Sequence, residues 1–471
     1  MKNILVPYFI NGFTFLTNIA AVVFYTKFGG ASAYGTYGIY IVFLAIFYVW
    51  ELAVLKTALI ASESAVEAKG VIKISYGVRV INFSVVAFLV GSLCLFATGN
   101  FFYPVDFETA IGGSFVVAIV AVEHLLSYPM IHVIYHLTNN NRFIEVYKLR
   151  FITTLLRHAF AWSVLLATGS IQAALIAIIL KGIVTGLYCL WWYKKEFSLA
   201  SPVSPRIQPK ILLTILQFFV TAVVVIVLQE APSVYIDRTF GRFELGNYRV
   251  IYDIIAGIWF LATIYPTILF SLFLKNRSKF TSTELRSRIS YLSYFLSAIH
   301  VLYFMCVCAV YFAILKLFPN LLEGKGYFIG VVAGVSILGY NRFLIEILQS
   351  QGQSLEVLIS TILSCVIAIF VFFFLLAGSS VEVVGSIWFG VQLLYLLLTK
   401  SIISIRCEKY LNYWWDVFLI ICPIGLVMLL VSALPSIIVF YAVLIGVAAY
   451  FVIGLMLAKT AYDKNKDAEA K

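Results

Sequence analysis

Apolar runs of about 20 residues follow one another along the whole chain, each long enough to cross a hydrocarbon core of roughly 30 Å as a helix. Short polar breaks separate them, and the runs alternate too little to be strands. The pattern predicts helical spans at 4–26, 36–60, 76–98, 109–136, 149–168, 170–193, 211–235, 247–274, 289–315, 327–349, 354–377, 380–403, 415–434 and 436–459. That is an all-α polytopic membrane protein of about 14 transmembrane helices. Composition agrees: of 471 residues, 62% are hydrophobic and only 12% charged, which leaves no polar surface for a soluble domain. The first run starts almost at Met1, contains Pro7, Asn11 and Asn18, and lacks a small-residue cleavage site, so it reads as a retained helix. The seven cysteines lie mostly inside apolar runs, without zinc or disulfide spacing, and read as packing residues.

Charge orients the array. With the amino terminus inside, the inner breaks include HLTNNNRFIEVYKLR, KKEFSLASPVSPRIQPK, KNRSKFTSTELRSR and RCEKY, and the outer ones TGNFFYPVDFE, TGSIQ, AGSSVE and SALPS. About 24 basic residues fall inside, about 6 outside and about 3 deep within helices, which predicts both termini in the cytoplasm. The net charge of +11 therefore belongs beside anionic lipid of the inner leaflet and not beside nucleic acid.

Two outer breaks share a pattern. KFGGASAYGTY at 27–37 and RTFGRFELGNY at 238–248 each carry a basic residue, glycines three and eight positions on, and a tyrosine ten positions on: Lys27, Gly30, Gly35 and Tyr37 against Arg238, Gly241, Gly246 and Tyr248. The same offset of 211 pairs Asn18 with Gln229, and LTNNNR at 137–142 with LQSQGQ at 348–353. Six spans per copy is an even number, so the copies form a parallel repeat about an axis along the membrane normal. The expected organisation is a six-helix lobe at 1–193, a cytoplasmic linker at 194–210, a second six-helix lobe at 211–403, a two-helix hairpin at 404–459 and a tail at 460–471.

Ionisable residues at membrane depth should face the bundle interior or a wet cavity, because lipid exposure costs several kcal/mol each. The first lobe offers Glu51, Lys56, Glu123, His124, Arg157, His158 and Lys181; the second offers Glu230, Asp253, His300, Arg342 and Glu346. Lys56, Arg157, Lys181 and Arg342 are the candidate cations of a central cavity between the lobes, and Glu51, Glu123, Asp253 and Glu346 the candidate coupling carboxylates. Alternatives stand beside these roles. Arg342 and Glu346 are four apart on one helical face and form a self-neutralised pair in the plainer reading. Lys181 has no acid within a turn, so either it takes a cross-helix partner such as Glu123 or it meets an anionic substrate. Lys56 and Arg157 are near enough to span ends to snorkel. Asn11, Thr14, Asn18 and Tyr25 form one narrow stripe on the first span, as helix–helix glue or as a wall for sugar hydroxyls. Pro7, Pro129 and Pro266 should kink their spans.

No GxxxxGK[ST] segment is present, nor a DxD-type metal site or a Ser/His/Asp constellation outside the bilayer, and the longest outer breaks are about ten residues. These features argue against ATP hydrolysis and against a membrane polymerase or ligase. No cofactor is implied beyond a coupling proton or sodium ion.

The stretch FYTKFGGASAYGTYGIY followed by VWELAVLKTALI resembles the opening of bacterial oligosaccharide flippases, the Wzx-type polysaccharide transporters of the MOP superfamily. The matching positions are Gly35, Tyr37, Glu51 and Lys56. DRTFGRFELGNYRVIYDI with TIYPTILF is similar to the second-half counterpart, and LIEILQSQGQ to the end of the tenth span. One departure is Leu52 and Ala53 after Glu51, where the family pattern has a glycine. The resemblance implies a MOP/MATE-like fold in a bacterial inner membrane. It also implies alternating access that moves an undecaprenyl-diphosphate-linked oligosaccharide to the outer leaflet, for surface polysaccharide such as the O-antigen of lipopolysaccharide. Polysaccharide polymerase and chain-length proteins of the same pathway are the implied partners. A cation-coupled multidrug antiporter shares the two-lobe plan and is the alternative reading.

Overall fold

The computed structural model describes residues 2–60, 107–127, 129–196, 209–258, 325–350, 354–371 and 380–406. Expectations for spans 3, 9, 13 and 14, for most of the linker, and for Pro266 and His300 fall outside the described residues. Among the described residues every regular element is helical: α1 (Lys2–Ile60), α2 (Phe107–Leu126), α3 (Pro129–Asn139), α4 (Phe143–Thr168), α5 (Ile171–Glu196), α6 (Pro209–Phe240), α7 (Arg242–Ile258), α8 (Lys325–Ser350), α9 (Ser354–Phe370) and α10 (Val381–Arg406). Five of the described helices are long and apolar enough to cross a membrane, and α2 with α3 would make a sixth as one span bent by 50°. Pro129 opens α3 at that bend, as expected of a residue that removes a backbone donor. Pro7, in contrast, leaves the helical dihedrals of α1 intact, because it sits in the second turn, where few carbonyls precede it.

The two outer breaks are corrected by the structure. Residues 27–37 and 238–248 are not loops. α1 runs through the first with one non-helical residue, Gly30 at φ 79°, ψ 172°, and the second is interrupted at Gly241, φ 88°, between α6 and α7. A side chain is strained at either position, so glycine turns the chain within a single residue. Polar composition had suggested a loop; the backbone needs only an elbow.

The chain divides within α7 into two compact units, Met1–Val250 and Ile251–Lys471. In the first, α5 packs on α2, α3 and α4, and α1 packs on α2, α4 and α6; in the second, α10 packs on α8 and α9. The offset found in the sequence recurs in the backbone. Gly30 and Gly241 are 211 apart, as are the first residues of α4 and α9, Phe143 and Ser354, while α5 and α10 start 210 apart at Ile171 and Val381.

Within the first unit the two elbows cross each other reciprocally. A Cβ on Gly35 would strike the Arg242 carbonyl oxygen, and a Cβ on Gly246 would strike the Ala31 carbonyl oxygen. Residues 31 and 35 each meet the offset partner of the other, the signature of a local two-fold. Gly38 lies against its own equivalent, Arg249, whose Cγ would be 2.9 Å from an added Cβ.

Exposure is inverted relative to a soluble protein. α5 shows Ile176, Leu180, Leu187 and Trp191 outward, and α9 shows Leu355, Ile359, Leu363 and Val366, while Glu123, Lys181, Arg249, Gln392 and Lys400 are buried. Outward apolar stripes at helical spacing with polar groups inside are what a lipid solvent selects.

Candidate functional site

The charged centre of the first unit is assembled by close backbone packing. Gly182 and Gly186 on α5 face α2: an added Cβ would lie 3.1 Å from the Glu123 carbonyl oxygen at Gly182 and would run into the Leu126 carbonyl at Gly186. This small-residue face brings two backbones together. It sets the Lys181 ammonium, in the same turn, against Glu123 Oε1 as a direct ion pair with side chains 1% and 0% exposed. Tyr40 on α1 donates its hydroxyl hydrogen to the other carboxylate oxygen, Oε2, at 2.8 Å. Arg157 on α4 is half-buried and close enough to Glu123, Tyr37, Tyr40 and Tyr48 to interact electrostatically. Its Nε is buried with no hydrogen-bond partner among the described residues. His124, next to the carboxylate, packs against Phe47 and Tyr48 at ring distances of 5.5 and 5.2 Å.

Two roles assigned separately in the sequence, an anion-binding Lys181 and an ion-coupling Glu123, thus meet in one pair. The cross-helix alternative for Lys181 is the geometry observed. Breaking such a pair from one side leaves a buried charge, at a cost of about 3–5 kcal/mol.

Two of the four residues of the α1 polar stripe are hydrogen-bonded within the protein. Asn18 Oδ1 is 3.2 Å from His158 Nε2 on α4, and the Thr14 hydroxyl donates to the Ile10 carbonyl at 3.1 Å. His158 stacks on Trp162 at 5.5 Å. Asn18 is therefore helix–helix glue here. Asn11 Nδ2 is buried without a partner among the described residues, and so is the hydroxyl of Tyr25, whose ring stacks on Tyr37 at 4.5 Å. Replacing Asn18 with alanine should cost about 1 kcal/mol, read as a modest fall in the melting temperature of the purified protein. An unchanged Tm would mean the His158 contact contributes nothing.

A second buried pair escaped the sequence reading on one side. Arg249 on α7 donates to Glu230 Oε2 on α6 at 2.7 Å, and the Ser233 hydroxyl donates to the same oxygen at 3.1 Å. Arg249 ends the run GNYR, one residue past the repeat motif, and was not among the candidates read from the sequence. Its equivalent position, Gly38, was the signal: a glycine there leaves room for the arginine stem. Half-buried Asp237 and Arg242 form a further bridge of 2.5 Å across the Gly241 elbow.

The remaining candidates are dispersed. Asp253 on α7 is half-buried and Arg342 on α8 is exposed, both in the second unit. Glu51 and Lys56 lie in the last turns of α1 and Glu346 in α8, but their side chains are outside the described set, and so is any Arg342–Glu346 pair. The position 211 beyond Lys181 is Gln392 and the one beyond Glu123 is Gly334. There the ring of Trp388 occupies the space a side chain at Gly334 would need, and Asn341 Nδ2 donates to the Gln392 carbonyl at 3.4 Å. The second copy fills with an indole what the first fills with an ion pair. Among the described residues no three His, Cys, Asp or Glu side chains converge to hold a metal.

No family model matches the chain, and no curated protein matches it in sequence. Solved structures do. The MATE multidrug transporter DinF-BH superposes with a TM-score of 0.66 at 12% identity, over 87% of this chain and 96% of that one. The lipid II flippase MurJ, in an inward closed conformation, gives 0.66 at 11% identity over 98% of both chains. The Vibrio cholerae MATE transporter VcmN gives 0.63 at 13% identity over 87% of this chain and 98% of that one. The chain has the fold shared by these MATE transporters and MurJ. Identities this low speak for fold alone, and the all-helical, multi-pass architecture expected from the hydropathy pattern is the one observed. In this fold, the Glu123–Lys181–Tyr40–Arg157 cluster joins the second, fourth, fifth and sixth spans of the sequence numbering.

Proposed function

We propose that the chain is a transporter, and specifically a flippase for a polyprenyl-diphosphate-linked oligosaccharide. The observation that carries the reading is the charge ratio at the buried cluster: one carboxylate, Glu123, is flanked by two cations, Lys181 in contact and Arg157 nearby. A membrane interior with surplus positive charge suits an anionic cargo. A diphosphate and its glycan cannot cross hydrocarbon without a hydrated or charged path, whereas the prenyl tail stays in lipid. Arg157 is the residue assigned to meet the anion, since Lys181 is already held by Glu123. The fold shared with MurJ supports a lipid-linked substrate class. Work comes from a proton or sodium gradient through Glu51, Asp253, Glu346 or a transient opening of the Glu123 pair. On this reading the protein resides in a bacterial inner membrane with both termini cytoplasmic. It does no covalent chemistry and serves polymerase and chain-length proteins of surface polysaccharide synthesis.

The second reading, a cation-coupled small-molecule antiporter, is supported by the equal TM-score of a multidrug transporter. Liposomes separate the two. Purified protein is reconstituted with a polyprenyl-diphosphate oligosaccharide, and lectin access to the outer leaflet is followed with and without an imposed ion gradient. Protein-dependent appearance of glycan, slowed about tenfold by Arg157→Gln at unchanged Tm, is the expected result. No movement with several glycans, together with gradient-driven efflux of a cationic dye, would replace the flippase by the antiporter.

A further inference from the structure

We propose that the end of the first unit formed by the α3–α4 turn and the last turns of α5 is a binding site for an anionic phospholipid. This inference is independent of the transport reading and concerns a surface away from the buried cluster.

The turn is built from Asn140 and Asn141, the latter at φ 58°, and leads into Arg142 at the start of α4. The Arg142 side chain is 40% exposed; its guanidinium lies 6.0 Å from the Trp192 ring, and its Nε is 3.2 Å from Glu145. His136 also packs against Trp192, edge-on at 5.9 Å. A guanidinium stacked on an indole and tied to an exposed carboxylate keeps its remaining N–H groups for an acceptor such as a phosphate. Lys148, in the second turn of α4, is exposed, and α5 closes with Lys194 and Lys195. Against these cations the α3–α4 turn, the first two turns of α4 and the last turn of α5 carry Glu145 and Glu196, so basic residues outnumber acidic ones in these segments.

Below the charges lies an apolar track. Ile176, Leu180, Leu187 and Trp191 are exposed along α5, Trp191 at 59%. From Ile176 to Trp191 the track runs 15 residue steps, about 22 Å of helix, enough for an acyl chain alongside it. The exposed ring of Tyr188, 6.2 Å from Trp191, adds an amphipathic edge at the charged end, where headgroups lie.

The second copy of the repeat shows that this combination is particular to one site. At an offset of 211, Arg142 becomes Gln353, Lys148 becomes Ile359, Trp191 becomes Ile402, Trp192 becomes Ile403 and Lys194 becomes Ile405. The backbone elements recur, and Arg406 stands where the first copy has Lys195, but Arg142, Lys148, Lys194 and both indoles have no counterpart. A general bias of basic residues toward one membrane face would not concentrate them on one copy. Charge complementarity selects the occupant: a phosphate with a net negative headgroup, on a tail that follows α5.

The test uses the full chain, delipidated and incubated with equal amounts of phosphatidylglycerol and phosphatidylcholine of matched acyl chains, with retained lipid counted by native mass spectrometry. Phosphatidylglycerol should be retained about fivefold over phosphatidylcholine, the value of roughly one cation at a membrane surface. Arg142→Gln should remove most of that preference. Glu145→Gln should raise it, because a competing carboxylate is gone, and a merely structural role for the Arg142–Glu145 bridge predicts no such rise. The bridge is exposed, so neither variant should unfold the protein. Equal retention of the two lipids, or an unaltered preference in Arg142→Gln, would overturn the site. Displacement of the lipid by excess inorganic phosphate would overturn the acyl track and leave a headgroup-only site.

Discussion

Lys181→Met is expected to produce one of the two largest losses of folded protein among single substitutions of the described residues. The methionine matches the length and apolar stem of lysine but leaves Glu123 charged, fully buried and without its contact cation, hydrogen-bonded among the described residues only by Tyr40, with Arg157 near but not in contact. Breaking a buried pair from one side costs about 3–5 kcal/mol, of the order of the stability of a whole domain. Size-exclusion profiles in detergent should show a smaller monodisperse fraction and a lower Tm. The double variant Lys181→Met with Glu123→Gln should recover much of the loss, since a glutamine carbonyl still accepts the Tyr40 hydroxyl and no charge is stranded. The cycle should give a coupling above about 1 kcal/mol. A wild-type Tm for Lys181→Met, or a double variant no better than the single, would show that the pair is not what holds α2 on α5. Transport has to be measured in the double variant for this reason. Loss of the proposed flipping in the single variant would report folding as well as function, whereas Arg157 makes no direct salt bridge among the described residues, so Arg157→Gln leaves the Lys181–Glu123 contact in place.

How far the chain announces this arrangement depends on what each residue's signal is made of. The fold class was legible because hydropathy is a bulk property: about 20 consecutive apolar residues can be satisfied in lipid by little except a helix. The repeat was legible because it rests on backbone requirements. Gly30 and Gly241 are needed for positive φ, and Gly35 and Gly246 for close approach, so their spacing survives where the side chains around them have diverged. The same residues misled about secondary structure. Lys27, Arg238 and Glu244 beside glycines look like loops by composition, yet one positive-φ residue suffices to break each helix.

The site was legible in part. Lys181 and Glu123 stood out because charge at membrane depth is rare, and the pairing was one of the two alternatives open to Lys181. What no sequence separation gives is which carboxylate lies within reach of a given cation; here the answer sits in Gly182 and Gly186, whose spacing of four is the mark of a close helix crossing. Tyr40 was missed because a tyrosine in an aromatic-rich helix reads as packing. Its recurrence with Tyr34 and Tyr37 at steps of three was the available clue that one face is aromatic and hydroxyl-bearing. Arg249 was missed because a cation beside a break reads as interfacial. The second copy clarifies the first: Gln392, Gly334 and Trp388 occupy the equivalent helices without charge, so the fold itself does not require the ion pair. That the second copy sets an indole against Gly334 where the first holds Glu123 agrees with the weak net stabilisation expected of buried pairs.

Gly246→Leu is expected to be the other most damaging substitution, and Gly35→Leu its near equal. The Cβ that any residue would add at 246 lies 2.6 Å from the carbonyl carbon of Ala31, and at 35 it lies 3.2 Å from the Gly246 nitrogen and closer still to the Arg242 carbonyl oxygen. These neighbours are backbone, so no rotamer change relieves the overlap; α1 and α7 must separate, and the packing of Gly38 against the Arg249 stem opens with them. Even alanine at either site should cost about 1–3 kcal/mol, with leucine above that. Because each glycine meets the segment carrying the other, one separation accommodates both. The double alanine variant should therefore lose clearly less Tm than the two single losses added, in contrast to independent distant sites. Gly390→Ala is the control: nothing lies within 4 Å of an added Cβ there, and the change should be neutral or stabilising by about 0.5–1 kcal/mol through helix propensity. Additive losses at 35 and 246 would mean that the two elbows are perturbed separately. A harmless Gly246→Ala would mean that the elbows do not touch, and the reciprocal crossing at the local two-fold would have to be abandoned.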